Sequence, residues 1–254
     1  MNRIKLGPLA TQPVDSPTAV SDLAQADCGV LAANAFLPFD NAVDISSSSL
    51  FLPLHYEKNY QYPLLVWLHD NGNDSSQVHR VMQQVSVQNY VAVAPQAPTG
   101  SANCGYYWEQ TDESISQAAD TVLATIDKAR CQANISSERI FIAGCGAAGT
   151  MAFRVAFTHP DIFAGVASIN GPLPQGSAPL GRWSSSRNLE VFWSHYRNSE
   201  HFDQNTLCTQ LKLLHVAGFS VCLRQYPGNL EEVSPPALAE INRWVMQLSD
   251  STIS

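Results

Sequence analysis

Charged residues are scarce in this chain of 254 residues. Lys, Arg, Asp and Glu make up 14% of the sequence, against about 25% in an average soluble protein. Intrinsic disorder requires low hydrophobicity together with high net charge, whereas 45% of the residues here are hydrophobic. The composition therefore predicts a folded domain around a single core, in which polar residues at functional positions should stand out.

Basic residues and long apolar runs are also lacking. The 14 Lys and Arg are outnumbered by 22 Asp and Glu, which gives a formal net charge of −8. Nucleic-acid-binding surfaces need clustered Lys and Arg, so we predict no nucleic-acid partner. No stretch of about 18 apolar residues occurs, and we therefore expect no membrane-spanning helix.

The N-terminal region differs in composition from the rest of the chain. Residues 1–35 combine prolines with small polar residues, which predicts a loosely ordered leader before a single domain over 36–250. No apolar stretch follows the first basic residues, so the segment does not resemble a secretory signal and we expect a cytoplasmic protein. The six cysteines are dispersed, with no CxxC pair and no zinc-ligand spacing. We expect reduced thiols and no metal ion, and nothing in the sequence indicates a cofactor.

Short apolar runs alternate with longer segments of helical period along the domain. This alternation is typical of a parallel sheet with crossover helices. It predicts an α/β fold, a mostly parallel, doubly wound sheet with helices on both faces and an antiparallel edge near residues 50–56. Strands are predicted at 64–68, 90–94, 139–143, 165–169, 189–193 and 221–226, and helices at 115–129, 147–158, 207–218 and 238–248.

The sharpest predicted turn is Gly144-Cys145-Gly146-Ala147-Ala148-Gly149, between a strand and a helix. In an open α/β sheet, functional groups collect beyond the carboxyl ends of the strands. Small residues on both sides of such a turn allow a very tight bend. This is the setting of the G-x-S-x-G nucleophile elbow, in which the nucleophile has a strained backbone conformation.

The region around this turn resembles the phospholipase/carboxylesterase family of α/β-hydrolases, which includes acyl-protein thioesterases. The segment ERIFIAGCGAAGTMAFRVAFTHPDIFAGVASINGPLP is similar to the family's nucleophile region. Four further segments are similar to its oxyanion turn, aromatic segment, catalytic-Asp strand and catalytic-His strand: YPLLVWLHDNGND, CGYYWEQTDESI, LEVFWSHYRNSEHF and VCLRQYPGNLEEV. The resemblance covers residues 50–248 and implies the α/β-hydrolase fold.

The catalytic positions implied by the resemblance carry no catalytic side chains. The nucleophile Ser falls on Gly146, the Asp on Ser199 and the His on Leu230. These changes remove the attacking oxygen, the base and the group that orients the base. We therefore predict a member that has lost catalysis and is retained to bind a small acyl or anionic ligand or a protein partner.

The oxyanion end of the site is implied to persist, because its donors are backbone groups. By resemblance, the N–H groups of Asn71 and Ala147 stand at the donor positions, and the helix that begins at Ala147 favours anions. His69 matches a structural histidine that the family places before the oxyanion turn. Trp108, in the aromatic segment, either lines the pocket or packs its loop. These four residues form the predicted binding site.

Two alternatives to an inactive ligand-binding protein stay open. Shifted by one residue, the turn resembles the G-x-C-x-G elbow of dienelactone-hydrolase-like enzymes, which would make Cys145 the nucleophile of an active ester or thioester hydrolase. The missing histidine at Leu230 argues against this, and a buried, inert Cys145 is the simpler interpretation. The remaining histidines lack an obvious orienting partner. The other alternative is a structural subunit, since family members often form homodimers.

Overall fold

The computed structural model describes residues 48–175, 189–199, 203–228 and 233–251. The predicted leader, residues 1–35, lies outside these ranges, as do Leu230 and His201. Within the described ranges, no helix is long and apolar enough to cross a membrane. The five cysteines found there are free thiols, and Cys28 lies outside them.

Nine strands and five helices alternate along the described part of the chain. The strands are β1 Ser48–Phe51, β2 Tyr62–Leu68, β3 Val91–Pro95, β4 Thr99–Ser101, β5 Gly105–Tyr107, β6 Ile135–Cys145, β7 Gly165–Ile169, β8 Glu190–Tyr196 and β9 Val221–Tyr226. The helices are α1 Gln77–Val85, α2 Asp112–Gln132, α3 Ala147–Thr158, α4 Gln204–Val216 and α5 Pro235–Ser251.

Seven strands form one sheet in the order β1-β3-β2-β6-β7-β8-β9. All neighbours are parallel except β1, which pairs antiparallel with β3 at the edge. The predicted fold class and the antiparallel edge are thus confirmed. The chain proceeds from β2 to β3 on one side and then returns to β6 on the other. The crevice at the carboxyl ends of β2 and β6 is therefore the topological switch point, where ligands bind in sheets of this kind.

Apolar side chains cover both faces of the sheet, as its nearly all-parallel pairing requires. Every residue of β2 is buried, and its side chains alternate between the two faces. Leu64 and Val66 pack with α2, α3 and α4 on one face, whereas Leu65 and Trp67 pack with α1 and α5 on the other. The two layers of helices hold the carboxyl ends of β2 and β6 in a fixed relation.

Besides the short hairpin of β4 and β5, two features of the fold were not predicted from the sequence. The first is α1, whose buried residues Val78, Val81, Met82 and Val85 have the spacing of a helical face. This pattern is short and follows a polar turn, so it is easily overlooked. The second is the N-terminal extension of β6 to Ile135, where a polar segment continues the strand because Ile135 aligns with Tyr62 of β2.

Candidate functional site

The turn between β6 and α3 has the geometry of a nucleophile elbow. Strand β6 ends at Cys145, α3 begins at Ala147, and Gly146 lies between them with φ 54° and ψ −122°. A positive φ of this size favours glycine. The turn is also too tight for a side chain at Gly144, where a Cβ would lie 2.6 Å from the carbonyl carbon of Ala148. The residue at the tip is therefore Gly146, with Cys145 one position before it.

A cavity of about 750 Å³ opens in front of the elbow. Its walls come from the elbow, the turn after β2, one side of α1 and the start of α5. The elbow contributes Cys145, Gly146 and Ala147, and the turn contributes Asn71. The structure thus brings Asn71 and Ala147 together at one cavity. As the first residue of α3, Ala147 has a backbone N–H with no acceptor inside the helix.

The turn after β2 is held in place by His69, whose side chain is completely buried. Nε2 of His69 accepts a hydrogen bond from the backbone N–H of Ala97 at 3.1 Å. Nδ1 therefore carries the proton and donates to the carbonyl oxygen of Asp70 at 2.9 Å. Burial lowers the pKa of His69, although the nearby Asp74 carboxylate opposes the effect. A neutral ring thus ties the turn to the loop after β3.

Trp108 stabilises the same turn through two hydrogen bonds. Its backbone N–H donates to Oδ1 of Asn71 at 3.0 Å, and its indole Nε1 donates to the carbonyl oxygen of His69 at 2.8 Å. The Trp108 side chain is 1% exposed. Neither Trp108 nor His69 lines the cavity. Both side chains act on the site indirectly. Their hydrogen bonds to the backbone fix the turn that carries Asn71.

Gln77, in the first turn of α1, was missed by the reasoning from sequence. Its Oε1 accepts from the backbone N–H of Asp70 at 2.9 Å and from the indole Nε1 of Trp67 at 3.0 Å. Its Nε2 donates to Oδ2 of Asp70 at 2.6 Å. One amide side chain thus joins β2, the turn after it and α1. The spacing from Asp70 to Gln77 does not show this, because the contact depends on the tertiary position of α1.

Of the three positions implied for a catalytic triad, the structure describes two. Gly146 lies at the tip of the elbow. Ser199 follows β8, and its backbone N–H donates to the carbonyl oxygen of Tyr196 at 3.0 Å. Leu230 lies outside the described residues. Of the three, only Gly146 lines the cavity in the described part of the chain.

Cys145 and Tyr196 lie close to one another beside the elbow. Cys145 is 5% exposed and lines the cavity. Burial raises the pKa of Tyr196, to which Cys145 also contributes electrostatically. The Tyr196 hydroxyl forms a hydrogen bond with the hydroxyl of Ser234, which precedes α5. Cys145 and Tyr196 thus belong to the same apolar layer on one face of the sheet.

Three of the other described histidines lie in different parts of the fold. His195 is completely buried in β8, His159 caps the end of α3, and His215 lies in the last turn of α4. Among the residues that the structure describes, no group of three or more His, Cys, Asp or Glu is arranged to hold a metal ion. His201 lies outside them.

Comparison with known proteins places this site in a family. The esterase family, described as "Putative esterase", matches residues 47–225. A "Probable carboxylesterase" of Oryza sativa subsp. japonica is 25% identical over 204 residues, which are 71% of this chain and 76% of that protein. A "Putative esterase NocK" of Nocardia uniformis subsp. tsuyamanensis is 31% identical over 124 residues, 46% of this chain and 35% of that protein.

Solved structures share the fold. SOBER1 of Arabidopsis thaliana superimposes with a TM-score of 0.63 and 21% identity over 74% of this chain and 99% of that one. Acyl-protein thioesterase 2 of Zea mays gives 0.59 and 15% identity over 79% of this chain and 98% of that one. The family match spans most of the described sheet together with the elbow. The chain therefore belongs to the esterase family and has the α/β-hydrolase fold.

Proposed function

We propose that this esterase-family member has lost ester hydrolysis and that its elbow cavity binds a small acyl or anionic ligand. The observation that carries the proposal is Gly146 at the tip of an otherwise intact elbow. An attacking oxygen is absent where the fold would present one. Ser199 and Leu230, at the positions implied for the Asp and the His, support the same conclusion. Without its triad, a serine hydrolase keeps only about 10³–10⁴-fold acceleration over water.

Ligand binding would use the groups that do not depend on the triad. The backbone N–H groups of Asn71 and Ala147 border the cavity, and α3 presents its positive N-terminal end there. Such donors favour an oxygen that carries partial or full negative charge. Val81 and Leu238 supply apolar wall on the opposite side, which suits the hydrocarbon part of an acyl group. We also propose a cytoplasmic location, where the free thiols stay reduced.

A hydrolase that uses Cys145 is the competing candidate, because this thiol lines the same cavity. Its position before the tip and its burial argue against attack on a substrate. The test is an assay of the purified protein on short- and medium-chain p-nitrophenyl esters and acyl thioesters, beside Cys145→Ala. We expect no turnover above background in either protein. Turnover that disappears in Cys145→Ala would overturn the proposal.

Binding itself is tested by Ala147→Pro. Proline is well accepted at the first position of a helix, and it lacks the N–H that would hold the ligand oxygen. We expect a thermal midpoint close to that of the natural protein and loss of binding of acyl amides and esters in calorimetry. A folded Ala147→Pro protein that binds these probes unchanged would show that the elbow is not the binding site.

A further inference from the structure

A second cavity, of about 470 Å³, lies beside α3 and shares Gly146 and Ala147 with the first. The elbow tip therefore lies between two cavities. Among the described residues that line the second one, Arg154 alone is charged, and the others are amide, hydroxyl or apolar side chains and glycine. A single cation among the neutral groups that the structure describes around this cavity favours an anionic ligand.

Two hydrogen bonds fix the guanidinium of Arg154. Nε donates to Oε1 of Gln110 at 2.8 Å, and Nη2 donates to the carbonyl oxygen of Gln175 at 3.1 Å. Nε2 of Gln110 in turn donates to the carbonyl oxygen of Ala147 at 3.4 Å. A single side-chain amide thus separates the guanidinium from the elbow. The orientation is set before any ligand arrives, which reduces the entropy lost on binding.

The guanidinium has no carboxylate partner within the described ranges. The ion pairs found there join other residues. Burial lowers the pKa of Arg154, and only the more distant Asp112 opposes this electrostatically. Residues 176–188, which follow Gln175, contain no Asp or Glu. Within the described ranges, both hydrogen bonds of the guanidinium go to neutral acceptors, and no described residue accepts from its Nη1 amino group.

We propose that Arg154 binds a free carboxylate on the ligand whose acyl carbonyl lies at the elbow. The ligand would then be a half-ester or half-thioester of a dicarboxylic acid. This proposal rests on the binding function proposed for the elbow. It adds that the other end of the ligand carries a carboxylate. A guanidinium matches the geometry of a carboxylate. Its single positive charge, which Asp112 partly offsets, suits a monoanion better than a dianionic phosphate.

Calorimetry with the full chain tests this assignment. The probes are the monomethyl and dimethyl esters of malonate, succinate, glutarate and adipate, with inorganic phosphate as a further arm. We expect one half-ester to bind roughly ten- to a hundred-fold more tightly than its diester, the range of hydrogen bonds to charged groups. Arg154→Gln should remove this preference and leave diester affinity unchanged.

Two variants complete the design. Gln110→Glu places a carboxylate beside Nε of Arg154 and should also remove the preference for the half-ester. Because Gln110 is exposed, we expect this variant to fold normally. Arg130→Gln changes the net charge equally at an exposed ion pair of α2 and should leave the preference intact.

The outcomes separate this inference from the proposed function. Equal binding of half-ester and diester by the natural protein would overturn the role of Arg154 and leave the elbow proposal standing. Equal weakening of both probes by Arg154→Gln would make Arg154 a merely structural residue and also overturn it. Phosphate that displaces the half-ester at lower concentration would overturn the carboxylate assignment. Absence of binding by every probe would overturn both proposals.

Discussion

The backbone angles of Gly146 explain how the elbow keeps its shape without a side chain at its tip. A residue with a side chain costs about 1–3 kcal/mol when it is held in such sparsely populated backbone space, whereas glycine adopts it freely. The elbow is anchored by a hydrogen bond of 2.8 Å from the backbone N–H of Gly146 to the carbonyl oxygen of Ile169 in β7. The turn therefore keeps its shape through the backbone and through the small residues around it.

Gly146→Ser tests this account. We expect no efficient hydrolysis, because the positions that the resemblance implies for a base and its orienting group carry Leu230 and Ser199. We also expect the free energy of unfolding to fall by about 1–3 kcal/mol, measured by urea denaturation. Gly146→Ala is the matched control and should lose as much stability. Efficient ester hydrolysis by Gly146→Ser would show that the positions assigned to the Asp and the His are wrong.

Helix α1 and the turn after β2 depend on one another through Gln77. The Gln77→Leu substitution leaves the indole N–H of the buried Trp67 and the backbone N–H of Asp70 without their acceptor. An unsatisfied buried donor costs about 1–3 kcal/mol, and we expect a loss of stability in this range together with weaker binding of acyl probes. Gln83→Leu, the same change at an exposed position of α1, should have little effect on either measurement. Equal effects of the two variants would contradict this role.

The sequence predicts the elements of this fold better than it predicts the site. Helix α3 and strand β7 were predicted with their bounds as found, because β7 is a run of apolar residues and α3 ends at a His-Pro pair. The contacts of Gln77 and Arg154 could not be predicted. Gln77 binds Asp70, seven positions away, and Arg154 binds Gln110, 44 positions away, and no period or motif marks either contact. Their positions follow from packing of α1 and α3 on opposite faces of the sheet.

The stability of the whole domain should depend on pH through His69. Burial lowers the folded-state pKa of His69 below its ordinary value of 6.5, so the unfolded chain takes up a proton first as the pH falls. The stabilisation is complete above about pH 6.5 and is lost below it, with a slope of at most about 1.4 kcal/mol per pH unit. We expect the difference in unfolding free energy between the natural protein and His69→Gln to shrink from about pH 7.5 to about pH 5.5. A constant difference in urea denaturation would mean that His69 does not titrate differently in the two states.

An elbow with glycine at its tip has a consequence for how this protein is detected. Reagents that label serine hydrolases covalently form a bond to the hydroxyl oxygen at that tip. Gly146 offers no oxygen for this bond, although the cavity in front of it has room for such a reagent. Proteome surveys that label active-site serines will therefore pass over this protein, and we expect immobilised reversible ligands to capture it.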